Sequence, residues 1–230
     1  MSALPNHHIG DETLLAYASG TLSRSAGILV ASHLTLCPSC RKALAAAEAV
    51  GGALLEATEQ RVTMSCTADD ILARADRSAP NEKGAALVPP SGKASAVNDN
   101  RPNKLLPRPI RELVGDDIAS LKWRWMGPGV RYAFLAGDEH EGKVGLMRIA
   151  PGTRLPRHGH TGEELTMVLA GGYKDSSGQF ARGDVEWADD NIVHQPWADK
   201  DGECLCLVVT KGKLKAKGLL GPLLQPLMAI

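Results

Sequence analysis

The hydrophobic period switches partway along this chain, and the switch restricts it to a helical unit followed by a β unit. Residues 11–76 carry apolar side chains at helical spacing. Asp11-Glu12-Thr13 gives an acidic start before Leu14, Leu15, Tyr17 and Ala18, and Gly20 ends that short helix. Ser23 can cap a second helix, with Ile28, Ala31 and Leu34 on one face and His33 beside them. Pro38 suits the first turn of a third helix, about Pro38 to Thr58, whose stripe of Leu44, Ala47, Gly51 and Leu54 is shallow. Thr67 caps a last helix near Ala68 to Asp76, which carries Ile71 and Leu72.

From Arg77 to about Asn103, Pro80, Pro89, Pro90 and Pro102 are mixed with small and polar residues. Such a stretch cannot bury enough apolar surface to fold, and it reads as a mobile linker. Beyond it the pattern alternates. Val130, Tyr132 and Phe134 are interleaved with Arg131 and Ala133, and Leu165-x-Met167-x-Leu169 and Leu205-x-Leu207-x-Val209 repeat the pattern. Turn signals recur at Gly127-Pro128-Gly129, Pro151-Gly152, Gly171-Gly172 and Arg182-Gly183. Short strands at this spacing indicate an antiparallel sandwich or barrel. The expected organisation is multidomain α plus β, with a helical domain over 1–76, a flexible linker over 77–104 and a β domain over 105–230. The tail from Lys211 is basic, then apolar, and suggests no particular element.

Charge narrows the function classes. Lys plus Arg and Asp plus Glu both total 26, so there is no general basic face for nucleic acid, and direct nucleic-acid binding is not expected. No run approaches the roughly 20 apolar residues that cross a bilayer. Met1 to Gly10 has no apolar stretch behind a basic start, so the expectation is a cytoplasmic protein with no membrane partner. The five cysteines, Cys37, Cys40, Cys66, Cys204 and Cys206, fit reduced thiols or metal ligation better than a disulfide framework.

Two sets of metal-ligand residues stand out. In the first, His33, Cys37 and Cys40 follow His-x3-Cys-x2-Cys. His33 and Cys37 lie one helical turn apart, and the turn at Pro38 brings Cys40 back to the same point. A tetrahedral zinc needs a fourth ligand. His7 and His8 are the nearby candidates, and His8 is preferred. In the second, His158 and His160 are two apart and so share a strand face. Glu164 follows a short turn, with Glu163 as its less well-spaced competitor, and His194 returns from a later strand. Three imidazoles and a carboxylate suit zinc or another divalent metal.

These residues carry a family resemblance. His8, a 24-residue gap and His33-x3-Cys37-x2-Cys40, set in helices, resemble the zinc-binding anti-sigma domain of bacteria. The run Gly152-x5-His158-x-His160-x3-Glu164-x6-Gly171 is similar to the first cupin motif, which implies a jelly-roll β-barrel around a metal. In the second cupin motif Ala181 stands where a proline is usual, and the interval to His194 is long. The order of zinc helical domain, linker and cupin resembles the ChrR-type anti-sigma factors. That resemblance implies a protein partner, an extracytoplasmic-function sigma factor held by the zinc domain. It further implies release on a photo-oxidative signal such as singlet oxygen or an organic hydroperoxide, with the cupin needed for the response. Oligomeric state is not legible.

The physical side of the resemblance is a small helical unit with little core of its own. Zinc would supply folding energy, and Leu14, Leu15, Leu54, Leu55, Ile71 and Leu72 are candidates for a partner-facing surface. The alternative reading is a metal-dependent cupin enzyme, a dioxygenase or isomerase, with an accessory zinc module. His140 and Asp184 are its only acid–base candidates. Cys204 and Cys206 share a strand face and are read as small buried hydrophobes in preference to redox sensors.

Overall fold

The computed structural model describes residues 4–58, 65–77, 106–115 and 117–217. The expected linker, beyond Arg77, and the tail beyond Lys217 fall outside them. The chain forms two compact units, one of residues 1–51 with 100–230 and one of residues 52–99.

In the first unit, helix α1 (Asp11–Ala18) is followed by α2 (Arg24–Leu36) and by α3 (Pro38–Glu56), which continues past Gly51. The cap at Ser23 forms as expected, its side chain accepting from the Ala26 N–H at 3.3 Å. The buried side of α2 is broader than the expected stripe. Leu29, Val30 and His33 are fully buried, while Ile28 and Ala31 are only partly covered. Helix α5 (Arg108–Val114) is an element the sequence pattern concealed. Pro107 and Pro109 flank its first residue, and proline at a helix start costs no hydrogen bond. Ile110 anchors this helix in the core.

Strands β1 (Arg124–Gly127), β2 (Val130–Asp138), β3 (Gly142–Ile149), β5 (Glu163–Ala170), β8 (Val185–Ala188) and β11 (Cys204–Lys211) make one antiparallel sheet in the order β1-β2-β3-β11-β5-β8. Two three-stranded sheets complete the domain. One contains β6 (Gly172–Lys174), β7 (Gln179–Ala181) and β10 (Trp197–Ala198); the other contains β4 (His158–His160), β9 (Val193–His194) and β12 (Leu214–Ala216). The cupin-type jelly roll is present, but among the described residues its three sheets are not joined to one another by strand pairing. Pro196 has no N–H and interrupts the chain between β9 and β10.

The large sheet is buried on both faces. Cross-strand partners share a face, so Val130, Ile149, Cys206, Val208 and Val168 stand together on the inner side, packed against Tyr173, Phe180 and Ala198 of a small sheet. The opposite face carries Val144, Leu146, Leu165, Met167, Leu207 and Val209, covered by Leu29, Val30 and Leu34 of α2 and by Ile110 and Val114 of α5. The stripes of Leu165, Met167 and Leu169 and of Leu207 and Val209 thus face the helices, whereas Val130 and Tyr132 share the inner side with the metal-ligand residue Glu164. Strand β11 is therefore nearly continuous in its apolar character, as expected for a strand covered on both sides. The expected alternation in β2 fails at Phe134, which is 52% exposed, where the β2–β3 register slips between Phe134 and Ala136.

The second unit contains α4 (Ala68–Arg77). Its start is a reciprocal cap: Thr67 Oγ1 accepts from the Asp70 N–H, and Asp70 accepts from the Thr67 N–H and hydroxyl. These bonds hold the exposed Asp70 carboxyl below its usual range. Among the described residues no helix is long and apolar enough to cross a membrane.

Candidate metal centres

The first ligand set assembles as its spacing predicted. His8, His33, Cys37 and Cys40 each offer an atom, and the four atoms lie within 4.8 Å of one another. Cys37 Sγ is 3.2 Å from His8 Nδ1, His33 Nε2 is 3.2 Å from Cys40 Sγ, and Cys40 Sγ is 3.7 Å from His8 Nδ1. Tetrahedral zinc with ordinary Zn–N and Zn–S bonds sets ligand atoms about 3.3–3.8 Å apart, so these side chains fit the ion. Burial pushes the Cys40 thiol up to about 11, with Cys37 adding to the effect. A bound cation would reverse that preference and take the thiolate. Burial lowers the His33 pKa, keeping its imidazole neutral as a ligand must be.

His7, the rejected candidate, is occupied elsewhere. Its ring lies 4.3 Å from that of Phe180 and its Nε2 is 3.1 Å from the Gln179 carbonyl. The turn between β7 and β8 then fixes both ends of the first group. His33 Nδ1–H donates to the Gly183 carbonyl at 2.8 Å, which leaves Nε2 for the ligand point. Asp184, buried, accepts from the backbone N–H groups of Asn6 (2.6 Å), His7 (2.9 Å) and Ala181 (2.8 Å). Gly183 needs its missing side chain, because φ is +96° and a Cβ would approach Pro5 to 2.7 Å.

The second set also converges. His158 and His160 stand on β4, His194 pairs directly with His158 across β4 and β9, and Glu164 enters from β5. All four side chains are buried and their ligand atoms lie within 4.8 Å of one another. The three Nε2 atoms meet, His194 being 3.1 Å from His158 and 3.3 Å from His160. Burial, aided by the neighbouring His194, drives His158 and His160 down to about 4, so both are neutral donors at pH 7. Burial also raises Glu164 to about 7. Burial opposes charge on His194 too, but hydrogen bonds and charge from Glu186, Glu164 and Asp175 hold it up at about 9.

The residues that orient this group were not found from the sequence. His158 Nδ1–H donates to the Pro156 carbonyl at 2.9 Å. His194 Nδ1 is 3.0 Å from Asp175 Oδ2 and 3.3 Å from Glu186 Oε1, and the Tyr173 hydroxyl donates to Glu186 at 2.7 Å. An inward-pointing Glu186 between Val185 and Trp187 was the available signal; nothing in the local sequence marks Asp175. The two groups are joined by contact. The His7 ring lies on Phe180, Phe180 stacks on Tyr173 at 5.0 Å, and Tyr173 holds Glu186 against His194.

Interior space beside the second group is small. A cavity of about 30 Å³ is lined by Met147, Ile149, Tyr173, Cys206 and Val208 among others, room for about one water. The proposed acid–base residues do not serve it: His140 is exposed in the β2–β3 hairpin, and the Asp184 carboxylate is spent on backbone N–H groups. Cys204 and Cys206 are buried with sulfurs 3.6 Å apart. Cys66 is half-buried and belongs to neither group.

Fold and sites together define a cupin that carries a helical His–Cys ligand group on the outer face of its main sheet. Residues 112–214 match the ChrR cupin-like domain family. Over 225 residues the chain is 36% identical to the anti-sigma-E factor ChrR of Cereibacter sphaeroides, spanning 97% of this chain and 98% of that protein. The crystal structure of Rhodobacter sphaeroides SigE in complex with the anti-sigma ChrR aligns at a TM-score of 0.72 and 35% identity, covering 90% of this chain and 99% of that one. The chain belongs to the ChrR family of anti-sigma factors.

Proposed function

We infer that this protein is an anti-sigma factor that sequesters an extracytoplasmic-function sigma factor and releases it on an oxidative signal, singlet oxygen or an organic hydroperoxide. The observation that carries the reading is the match to ChrR along 97% of the chain. Its region 1–76 is the sigma-binding part, 77–104 a connecting linker and 105–230 the cupin that the response requires. The place of action is the cytoplasm.

Sequestration needs apolar surface that the fold leaves uncovered. Five of the six proposed side chains satisfy this: Leu15, Leu54, Leu55, Ile71 and Leu72 are exposed. Leu14 does not, because it is buried in the core of the first unit. Zinc at His8, His33, Cys37 and Cys40 would contribute folding energy to the helices. A divalent metal, zinc or another, is the occupant of His158, His160, Glu164 and His194. The stacked path from His194 to His7 gives a change at the second group a physical route to the first. A regulator is favoured over an enzyme, since the relative matched along nearly the whole chain is an anti-sigma factor.

The test is co-expression of the full chain with the extracytoplasmic-function sigma factor of its source organism, followed by affinity capture and metal analysis. The sigma factor should co-purify with the intact chain and be lost with Cys37→Ser/Cys40→Ser. Capture that is absent from the intact chain, or unchanged in the double variant, would overturn the reading.

A further inference from the structure

Beside His194, on the solvent side of the small sheet, lies an open trough of about 510 Å³ lined by Arg154, Arg157, Lys174, Asp175, His194 and Trp197 among others. We propose that this trough binds a small organic oxyanion, a molecule bearing a carboxylate or phosphate group. The proposal goes beyond sigma-factor sequestration and does not depend on it.

Three observations carry it. The first is an ordered row. Lys174 pairs with Trp197 across β6 and β10, and Arg154 bridges to Trp197 from the other side. The Arg154 guanidinium carbon lies 4.3 Å from the Trp197 ring centroid and Lys174 Nζ lies 4.9 Å from it. The indole N–H donates to the Gly152 carbonyl at 3.0 Å, fixing the ring on which both cations rest.

The second is uncompensated charge. Among the described residues, no carboxylate lies within ion-pair distance of Arg154, Arg157 or Lys174. The trough's one carboxylate, Asp175, is engaged with His194. Cations gathered around one ring repel each other, and an anion seated between them relieves that repulsion. A guanidinium fork and an ammonium are the groups that hold carboxylates and phosphates.

The third is size. The trough lies within the range of pockets that hold small organic ligands, whereas the interior cavity does not. A ligand here would stack its body on the exposed part of Trp197 and place its acid group between Arg154 and Lys174, with Arg157 flanking. It would also touch Asp175 and His194, the pair that closes the second ligand group.

The test uses the full metal-loaded chain at fixed ionic strength. Inorganic phosphate and benzoate are titrated separately, and the Trp197 indole N–H resonance, assigned with Trp197→Phe, is followed by NMR. A saturable shift with at least one probe is expected, and which probe saturates identifies the acid group. In Arg154→Gln/Lys174→Gln, affinity should fall about tenfold or more with metal content unchanged. Arg157→Gln gives a milder second variant. No saturation by about 20 mM of either probe, or the same affinity in the double variant, which would place the anion on the metal, overturns the proposal.

Discussion

Replacing Asp184 with alanine should loosen the first candidate metal centre without touching any of its four candidate ligands. The carboxylate accepts three backbone hydrogen bonds, two of them from Asn6 and His7, next to the ligand His8. Hydrogen bonds to a charged group contribute about 1.5–3 kcal/mol each when their loss leaves a donor buried. Asn6 and Ala181 are exposed, so water replaces part of what is lost there. The net cost should therefore be about 2–4 kcal/mol, and about 2 kcal/mol of it falls on the segment carrying His8. Since 1.4 kcal/mol is a tenfold change in a binding constant, zinc affinity at the first group should fall roughly ten- to a hundredfold. Competition with a chromophoric chelator measures this directly, and Asp184→Asn, which keeps one acceptor oxygen, should fall between. Zinc affinity for Asp184→Ala within about twofold of the parent would refute the idea that this turn holds the ligand segment in place.

Other outcomes follow from the same geometry. Metal uptake at the second group at pH 7 should release roughly one to two protons, because His194 near 9 and Glu164 near 7 must both give theirs up; calorimetry in buffers of different ionisation enthalpy counts them, and no buffer dependence would contradict the assignment. In metal-stripped protein, His158 and His160 have folded pKa values near 4, below the unfolded 6.5, so their contribution to stability is present above pH 6.5 and lost as pH falls toward 4. Glu164 runs the opposite way between 4.5 and 7 and only partly offsets the loss, so thermal melts should show lower stability at pH 5 than at pH 6.5. Leu54→Asp/Leu55→Asp alters two exposed residues, 66% and 77% accessible, and should leave the melting temperature nearly unchanged while weakening sigma-factor capture about tenfold or more. Leu29→Ala, by contrast, opens a cavity where α2 meets the sheet and should cost about 2–5 kcal/mol in denaturant unfolding.

Some of this was fixed by the sequence. Short-range chemistry placed the helix starts at Ser23, Pro38 and Thr67, because caps and first-turn prolines act within a few residues. It also placed both ligand groups, since His-x3-Cys-x2-Cys is one helical turn plus a tight turn and His-x-His is one strand face. Tertiary structure decided what lay opposite. Hydrophobic alternation tells that one face of a strand is buried, not by what, so Leu165, Met167, Leu207 and Val209 could not announce that they lie under α2 and α5. Nor could local pattern show that Gly183 and Asp184, 150 residues or more from His33 and His7 in sequence, hold the first centre, or that Asp175 and Glu186 orient His194. A hydrogen bond depends on where folding puts its two groups, and separation along the chain carries no information about that.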